Sequence, residues 1–150
     1  MLFCLDTSAL VEAWHTWYPV DVFPKLWEDL SSAAGQGELI APEIVLEELR
    51  RKEDKVLRWS KAHVVFVALD EQVQVKQAEI VNRFPKLIEL RKGRSLADPW
   101  VVAVAAVKGC PVVSMEKPGG KTPKIPDVCL ALGIEHLAFI DMVRRFGWAY

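Results

Sequence analysis

Four carboxylates stand where hydrolytic chemistry could use them. Asp6 closes the apolar run Leu2-Phe3-Cys4-Leu5, and Glu116 follows Val112-Val113-Ser114-Met115, so each ends a hydrophobic stretch close to a hydroxyl, Ser8 or Ser114. Glu48 is flanked by Leu46 and Leu49, and Asp98 immediately precedes Pro99-Trp100-Val101-Val102. An acid beside the core is costly unless a cation or a metal compensates it, and converging carboxylates repel one another. A divalent ion resolves both conflicts. Oxygen donors without His or Cys select hard ions, Mg²⁺ or Mn²⁺, over zinc. The usual work of one or two such ions is phosphodiester cleavage, with a water activated and the leaving oxygen neutralised.

Taken singly, each acid has a plainer reading. Asp98 suits the first turn of a helix, Asp6 suits a helix cap, and Glu116 suits a surface loop. Glu48 shares its segment with Glu43 and Glu47, and the choice of Glu48 rests on the surrounding pattern more than on periodicity. The joint placement of all four carries the inference.

The elements that must position these acids alternate. Leu2 to Leu5 is a short apolar run that suits a strand buried on both faces, Glu38 to Ala41, Val64 to Val67 and Cys110 to Val113 read as further strands, and His136 to Ile140 is a fifth candidate. Between them, helical patterns run through Leu10, Val11 and Trp14 with Ser8 as cap, through Leu26, Trp27 and Leu30, and over Glu43 to Arg51. A charged stretch from Arg50 to Lys55 continues through Trp59 toward Lys61. Further helices are expected over Asp70–Phe84, over Leu96–Val107 with Ser95 as cap, over Asp127–Leu132 and over Asp141–Phe146; Leu87 to Arg94 is amphipathic and basic. This rhythm predicts α/β architecture, a parallel sheet of four or five strands with helices on both faces, in one domain over residues 1–150. In such a sheet the ligand crevice lies beyond the carboxyl ends of the strands, where Asp6 and Glu116 fall.

Composition bounds the partners. The chain has 150 residues, 51% of them hydrophobic, with 19 Lys+Arg against 20 Asp+Glu and a formal net charge of −1. That excludes disorder and a disulfide scaffold, and there is no basic excess typical of a general phosphate binder. Setting the four acids aside turns the small acidic excess into a basic one, so any contact with a polyanion is expected to be local. Cys4, Cys110 and Cys129 form no C-x-x-C pair and read as small buried hydrophobes in a reducing compartment. The first apolar run is too short for a signal peptide and no run reaches membrane-span length, so the expectation is a cytoplasmic protein without a membrane partner.

At these residues the chain resembles the PIN-domain family of metal-dependent ribonucleases. The likeness rests on Asp6-Thr7-Ser8-Ala9-Leu10 after a first strand, Glu48-Leu49 in an early helix, Asp98 opening D-x-x-x-x-A-x-A with Ala103 and Ala105, and Val112-Val113-Ser114-x-Glu116. A branch of that family described as a domain of unknown function is more similar still, through Trp17-Tyr18-Pro19-x-Asp21-x-Phe23-Pro24-x-x-Trp27 and Lys124-Ile125-Pro126-Asp127-Val128-Cys129. The resemblance implies a three-layer α/β/α sandwich, single-stranded RNA as substrate, a toxin of a toxin–antitoxin pair with an antitoxin protein as partner, and homodimers. It carries over Asp6, Glu48, Asp98 and Glu116 as the catalytic, metal-binding set, with Ser8 and Ser114 as supporting hydroxyls. Many members have Asp where Glu116 stands; the longer side chain would reach the ion directly or through water, and Asp127 is an alternative or more distant acid.

Competing motifs fail on single residues. A haloacid-dehalogenase-type phosphatase needs a second Asp where Ser8 stands, and Gly120-Lys121-Thr122 lacks the first P-loop glycine, because position 115 is Met115. The remaining alternative is a catalytically inactive PIN-fold binding module for RNA or a protein, against which all four positions are still acidic. For RNA contact the candidates are Lys86, Arg91, Lys92 and Arg94 before Asp98, and Lys117, Lys121 and Lys124 after Glu116. Helical spacing favours core or dimer packing over base stacking for Trp14, Trp17, Tyr18 and Trp27, and His15, His63 and His136 show no ligand spacing.

Overall fold

The computed structural model describes residues 1–52, 54–88 and 96–150. Five parallel strands form one sheet in the order β3-β2-β1-β4-β5: β1 (Phe3–Leu5), β2 (Leu39–Pro42), β3 (Val65–Val67), β4 (Val112–Val113) and β5 (His136–Leu137). Among the described residues eight α-helices flank it: α1 (Thr7–Glu12), α2 (Pro24–Gly35), α3 (Glu43–Arg50), α4 (Lys55–His63), α5 (Glu71–Arg83), α6 (Asp98–Lys108), α7 (Ile125–Leu132) and α8 (Phe139–Phe146). This is the α/β/α sandwich with a parallel sheet that the sequence implies, with the larger of the two expected strand counts.

The central strand explains the site. β1 pairs with β2 through Phe3↔Leu39 and Cys4↔Ile40, and with β4 through Cys4↔Val112 and Leu5↔Val113. From β1 the chain builds outward through β2 and β3, then returns through α5 and α6 to lay β4 on the other side of β1. Connections therefore diverge at the carboxyl ends of β1 and β4 and leave the crevice open there. All three residues of β1 are buried, so it must be apolar, and the first polar side chain after it emerges into that crevice.

α6 is the central helix, packed against α5, α7, β1 and β2. Its residues Asp98, Pro99 and Val101 to Ala105 are all buried, so its first turn carries a carboxylate into the interior. The left-handed Gly109 (φ 67°) ends it, where a residue with a Cβ would be strained.

Several boundaries differ from the sequence expectation for local reasons. α1 is capped by the Asp6 side chain, not by Ser8, whose backbone N–H lies 3.4 Å from Asp6 Oδ2. Beyond Glu12 the helix widens into a π-turn over Ala13–Trp17, closed by Tyr18 N–H to the Ala13 carbonyl at 2.7 Å. The charged stretch after Arg50 breaks, because Asp54 Oδ1 accepts the Leu57 N–H at 3.2 Å and starts α4 afresh. α6 begins at Asp98 with Pro99 in its first turn, where the missing N–H costs nothing; the expected Ser95 cap and most of the Leu87–Arg94 segment lie outside the described residues. α7 starts two residues earlier than expected, again with a proline, Pro126, in the first turn.

Trp27 is buried and packs edge-on against Trp14 and Trp59 at ring distances of 4.7 and 5.0 Å, while Tyr18 stacks on Phe139. These rings are core, as the spacing suggests; Trp17 is 60% exposed and stands outside the cluster. All three cysteines are buried and free.

Candidate active site

Asp6, Asp98 and Glu116 each offer a carboxylate oxygen, and the three atoms lie within 4.8 Å of one another. They arrive from three directions: the tip of β1, the first turn of α6 and the loop after β4. Asp6 is 2% exposed and Asp98 1%. Together with Thr7, Ser8, Glu48, Arg51, Lys52 and Asp54 they line a cleft of about 550 Å³ at the carboxyl ends of the strands. A second cavity, about 580 Å³, opens at the opposite end of the sheet beside Cys110 and Glu135, away from these strand tips.

Asp6 is held by one side and open on the other. Its Oδ2 accepts the Ser8 hydroxyl at 2.7 Å, and that hydroxyl accepts the Met115 N–H at 3.1 Å, tying the end of β1 to the chain leaving β4. Its Oδ1 is buried with no hydrogen-bond partner among the described residues. Burial pushes the Asp6 carboxyl up to about 7; the Ser8 bond opposes the rise, and the charges of Glu116 and Glu48 add to it. Such a group stays protonated at a cost to function unless a cation compensates it.

Glu116 and Glu48 each accept a backbone donor. Glu116 Oε2 accepts the Ile125 N–H at 3.0 Å at the start of α7. Glu48 accepts the Thr7 hydroxyl on Oε2 at 2.8 Å and the Ala97 N–H on Oε1 at 3.0 Å, so it stands beside the cluster and joins the starts of α1 and α6. Glu47 is exposed and pairs with Arg50 at 2.7 Å, which separates it from the cleft. The buried Ser114 hydroxyl lies 2.7 Å from His136 Nε2 and accepts the Glu116 N–H at 3.3 Å. Burial holds the His136 imidazole below its usual range.

Asp127 does not line the cleft. Its two oxygens accept the Gly119 and Lys124 N–H groups at 3.2 and 2.9 Å, which closes the loop onto α7. Lys117 and Lys121 are exposed on that same loop. Arg91, Lys92 and Arg94 lie outside the described residues. Sequence reasoning passed over Thr7, His136, Arg51 and Lys52; for Arg51 the signal was its i,i+3 relation to Glu48 on a helix.

A family profile matches residues 3–150, that of a domain of unknown function, DUF4411. The chain belongs to the DUF4411 family. No curated protein sequence matches it. Among solved structures, this DUF4411 chain is similar to VapBC2 from Rickettsia felis, crystallised bound to a DNA fragment from their promoter, with a TM-score of 0.60 and 14% identity over 92% of this chain and 98% of that one. At that identity the likeness is one of fold, and it agrees with the PIN-like sandwich and the PIN branch that the sequence resembles. Among the described residues of this DUF4411 chain no helix is long and apolar enough to cross a membrane.

Proposed function

We propose that the protein is a metal-dependent endoribonuclease that cleaves phosphodiester bonds of single-stranded RNA. The observation that carries this reading is Asp6, which clusters with Asp98 and Glu116 and has a buried carboxylate oxygen, Oδ1, without a hydrogen-bond partner among the described residues. All-oxygen donors fit Mg²⁺ or Mn²⁺. Asp6, Asp98 and Glu116 would hold the ion, with Glu48 fixing the helix starts on which two of them depend and adding negative charge. When bound, the ion activates a water for attack at phosphorus and neutralises the departing oxygen.

The chain's own residues then have distinct tasks. Ser8 holds Asp6 through Oδ2 and leaves Oδ1 without a hydrogen bond among the described residues, and Ser114 and Ile125 anchor Glu116 at its two ends. The cleft is open at the strand tips, which suits a flexible single strand better than a rigid duplex. The likeness in fold to a chain of the structure named VapBC2 is what supports a toxin role with an antitoxin protein as partner; a homodimer in the cytoplasm completes the reading.

The test is cleavage of a mixed single-stranded RNA pool with Mn²⁺, with EDTA, and by Asp6→Asn and Asp98→Asn. Cleavage is expected with Mn²⁺ alone and only by the unsubstituted protein. Cleavage unaffected by both substitutions would remove the site, and folded protein that binds RNA or a protein partner without cutting would be the inactive binding module.

A further inference from the structure

The acidic cleft has a second charge on its rim. Arg51 and Lys52 line it together with Asp6, Glu48, Asp98 and Glu116. Arg51 lies three residues after Glu48 and keeps right-handed helical backbone (φ −65°, ψ −22°), so the two share a helix face. Neither the Arg51 guanidinium nor the Lys52 ammonium has an ion pair or side-chain hydrogen bond among the described residues. Acids and a competing cation stand close by, and they are used elsewhere. Arg50 takes Glu47 at 2.7 Å, and Asp54 gives Oδ2 to His15 at 3.1 Å and Oδ1 to the start of α4. Glu12 is a further, exposed acid of this wall.

Two exposed cations left unpartnered beside several acids need a reason. The floor of the cleft, being acidic, repels a polyanion, so a strand can approach it only where a cation reverses the local potential. We propose that Arg51 and Lys52 form a phosphate-binding subsite on the cleft rim, taking backbone phosphates of a single polynucleotide strand next to the bond over the acidic cluster. This rests on the ribonuclease reading and adds to it the wall along which the strand runs. Arg51 is suited to grip a phosphate through two parallel N–H donors, whereas Lys52 acts as a point charge. Two cations at the carboxyl end of α3 would also complement the helix dipole. That role would show in stability alone and would leave the salt dependence of RNA binding unchanged.

The test uses the full chain in EDTA with a fluorescently labelled single-stranded RNA of about 12 nucleotides, titrated by anisotropy between about 50 and 200 mM salt. Arg51→Gln and Lys52→Gln are each expected to weaken binding roughly fivefold and to lower the slope of log K against log salt by about 0.7, with melting temperature unchanged. Arg51→Lys is expected to retain the slope while losing part of the affinity. In Mn²⁺ the same Gln substitutions should raise KM and leave kcat within about twofold.

Unchanged affinity and slope in both Gln variants, with cleavage by the unsubstituted protein intact, overturns the subsite and leaves the ribonuclease reading standing. RNA binding that depends on Arg51 and Lys52 without any cleavage supports the subsite and removes the activity. Absence of both binding and cleavage in the unsubstituted protein overturns both.

Discussion

Glu48 Oε1 accepts the backbone N–H of Ala97 at 3.0 Å, across 49 residues of sequence, and so fixes the start of the helix that delivers Asp98. Its other oxygen takes the Thr7 hydroxyl at 2.8 Å, next to Asp6. Both helix starts that carry the buried aspartates therefore hang on one side chain. Glu48→Gln keeps an acceptor for Ala97, and the Thr7 hydroxyl can turn to accept from the new amide. Glu48→Ala removes the acceptors used by the Ala97 N–H and the Thr7 hydroxyl, a loss of about 1–3 kcal/mol. Urea unfolding of the metal-free protein should place Glu48→Gln near the unsubstituted protein and Glu48→Ala clearly below it. Mn²⁺ titration should show a smaller affinity loss for Glu48→Gln than for Asp6→Asn. Equal losses would make Glu48 a direct ligand.

Ser8 links two strand ends through one hydroxyl, donating to Asp6 at 2.7 Å and accepting from Met115 at 3.1 Å. Its bond to Asp6 favours the ionised carboxylate. Ser8→Ala should therefore shift the acid limb of the pH–rate profile upward, lower cleavage at pH 7 by about tenfold, and cost about 1–2 kcal/mol in stability through the stranded Met115 N–H. Ser8→Thr keeps the hydroxyl and should restore the profile. A profile unmoved in Ser8→Ala would show that the hydroxyl serves only packing.

How far this site was legible follows from how each residue is positioned. Asp6 and Asp98 stand out in the sequence because each interrupts an apolar stretch that has to be buried, so their burial is a consequence of their neighbours. The parallel sheet was legible for the same reason: β1, β2 and β4 are buried along their whole length, and only continuous apolar runs suit them. Thr7 and His136 were opaque, because their partners Glu48 and Ser114 depend on which strand tips the crossover brings together. The break between α3 and α4 was hidden by a residue that reads equally as helical surface, Asp54, until its side chain is seen to accept from Leu57. Asp127 misled in the opposite sense: it stands in the Lys124–Cys129 stretch that carries the resemblance and reads as an alternative to Glu116, yet its oxygens are consumed by the loop that it closes.

Asp6 makes metal-free stability depend on pH. The unfolded carboxyl titrates near 3.8 and the folded one near 7, so between those values the folded state binds more protons. Stability therefore falls as pH rises through that window, by on the order of 4 kcal/mol for full ionisation. Asp6→Asn removes the penalty. In EDTA it should be more stable than the unsubstituted protein at pH 8 and nearly equal to it at pH 4, and added Mn²⁺ should raise the melting temperature of the unsubstituted protein only. Thermal melts at the two pH values check this, and an Asp6→Asn protein less stable at pH 8 in EDTA contradicts it.

His136 acts with the opposite sign. Its folded imidazole is held below the usual range by burial, with Asp141 in partial opposition, so below about pH 6.5 the unfolded state binds the extra proton. Stability from this group is present above that pH and is lost as pH falls through it. In the unsubstituted protein the two slopes partly cancel between pH 4 and 6.5, since Asp6 gains over the range in which His136 loses. Asp6→Asn should expose the histidine slope, with melting temperature in EDTA dropping steadily from pH 7 to pH 5. Adding His136→Gln should flatten it, because a neutral amide beside the Ser114 hydroxyl at this position cannot charge. A slope that survives the double substitution would assign it to another group.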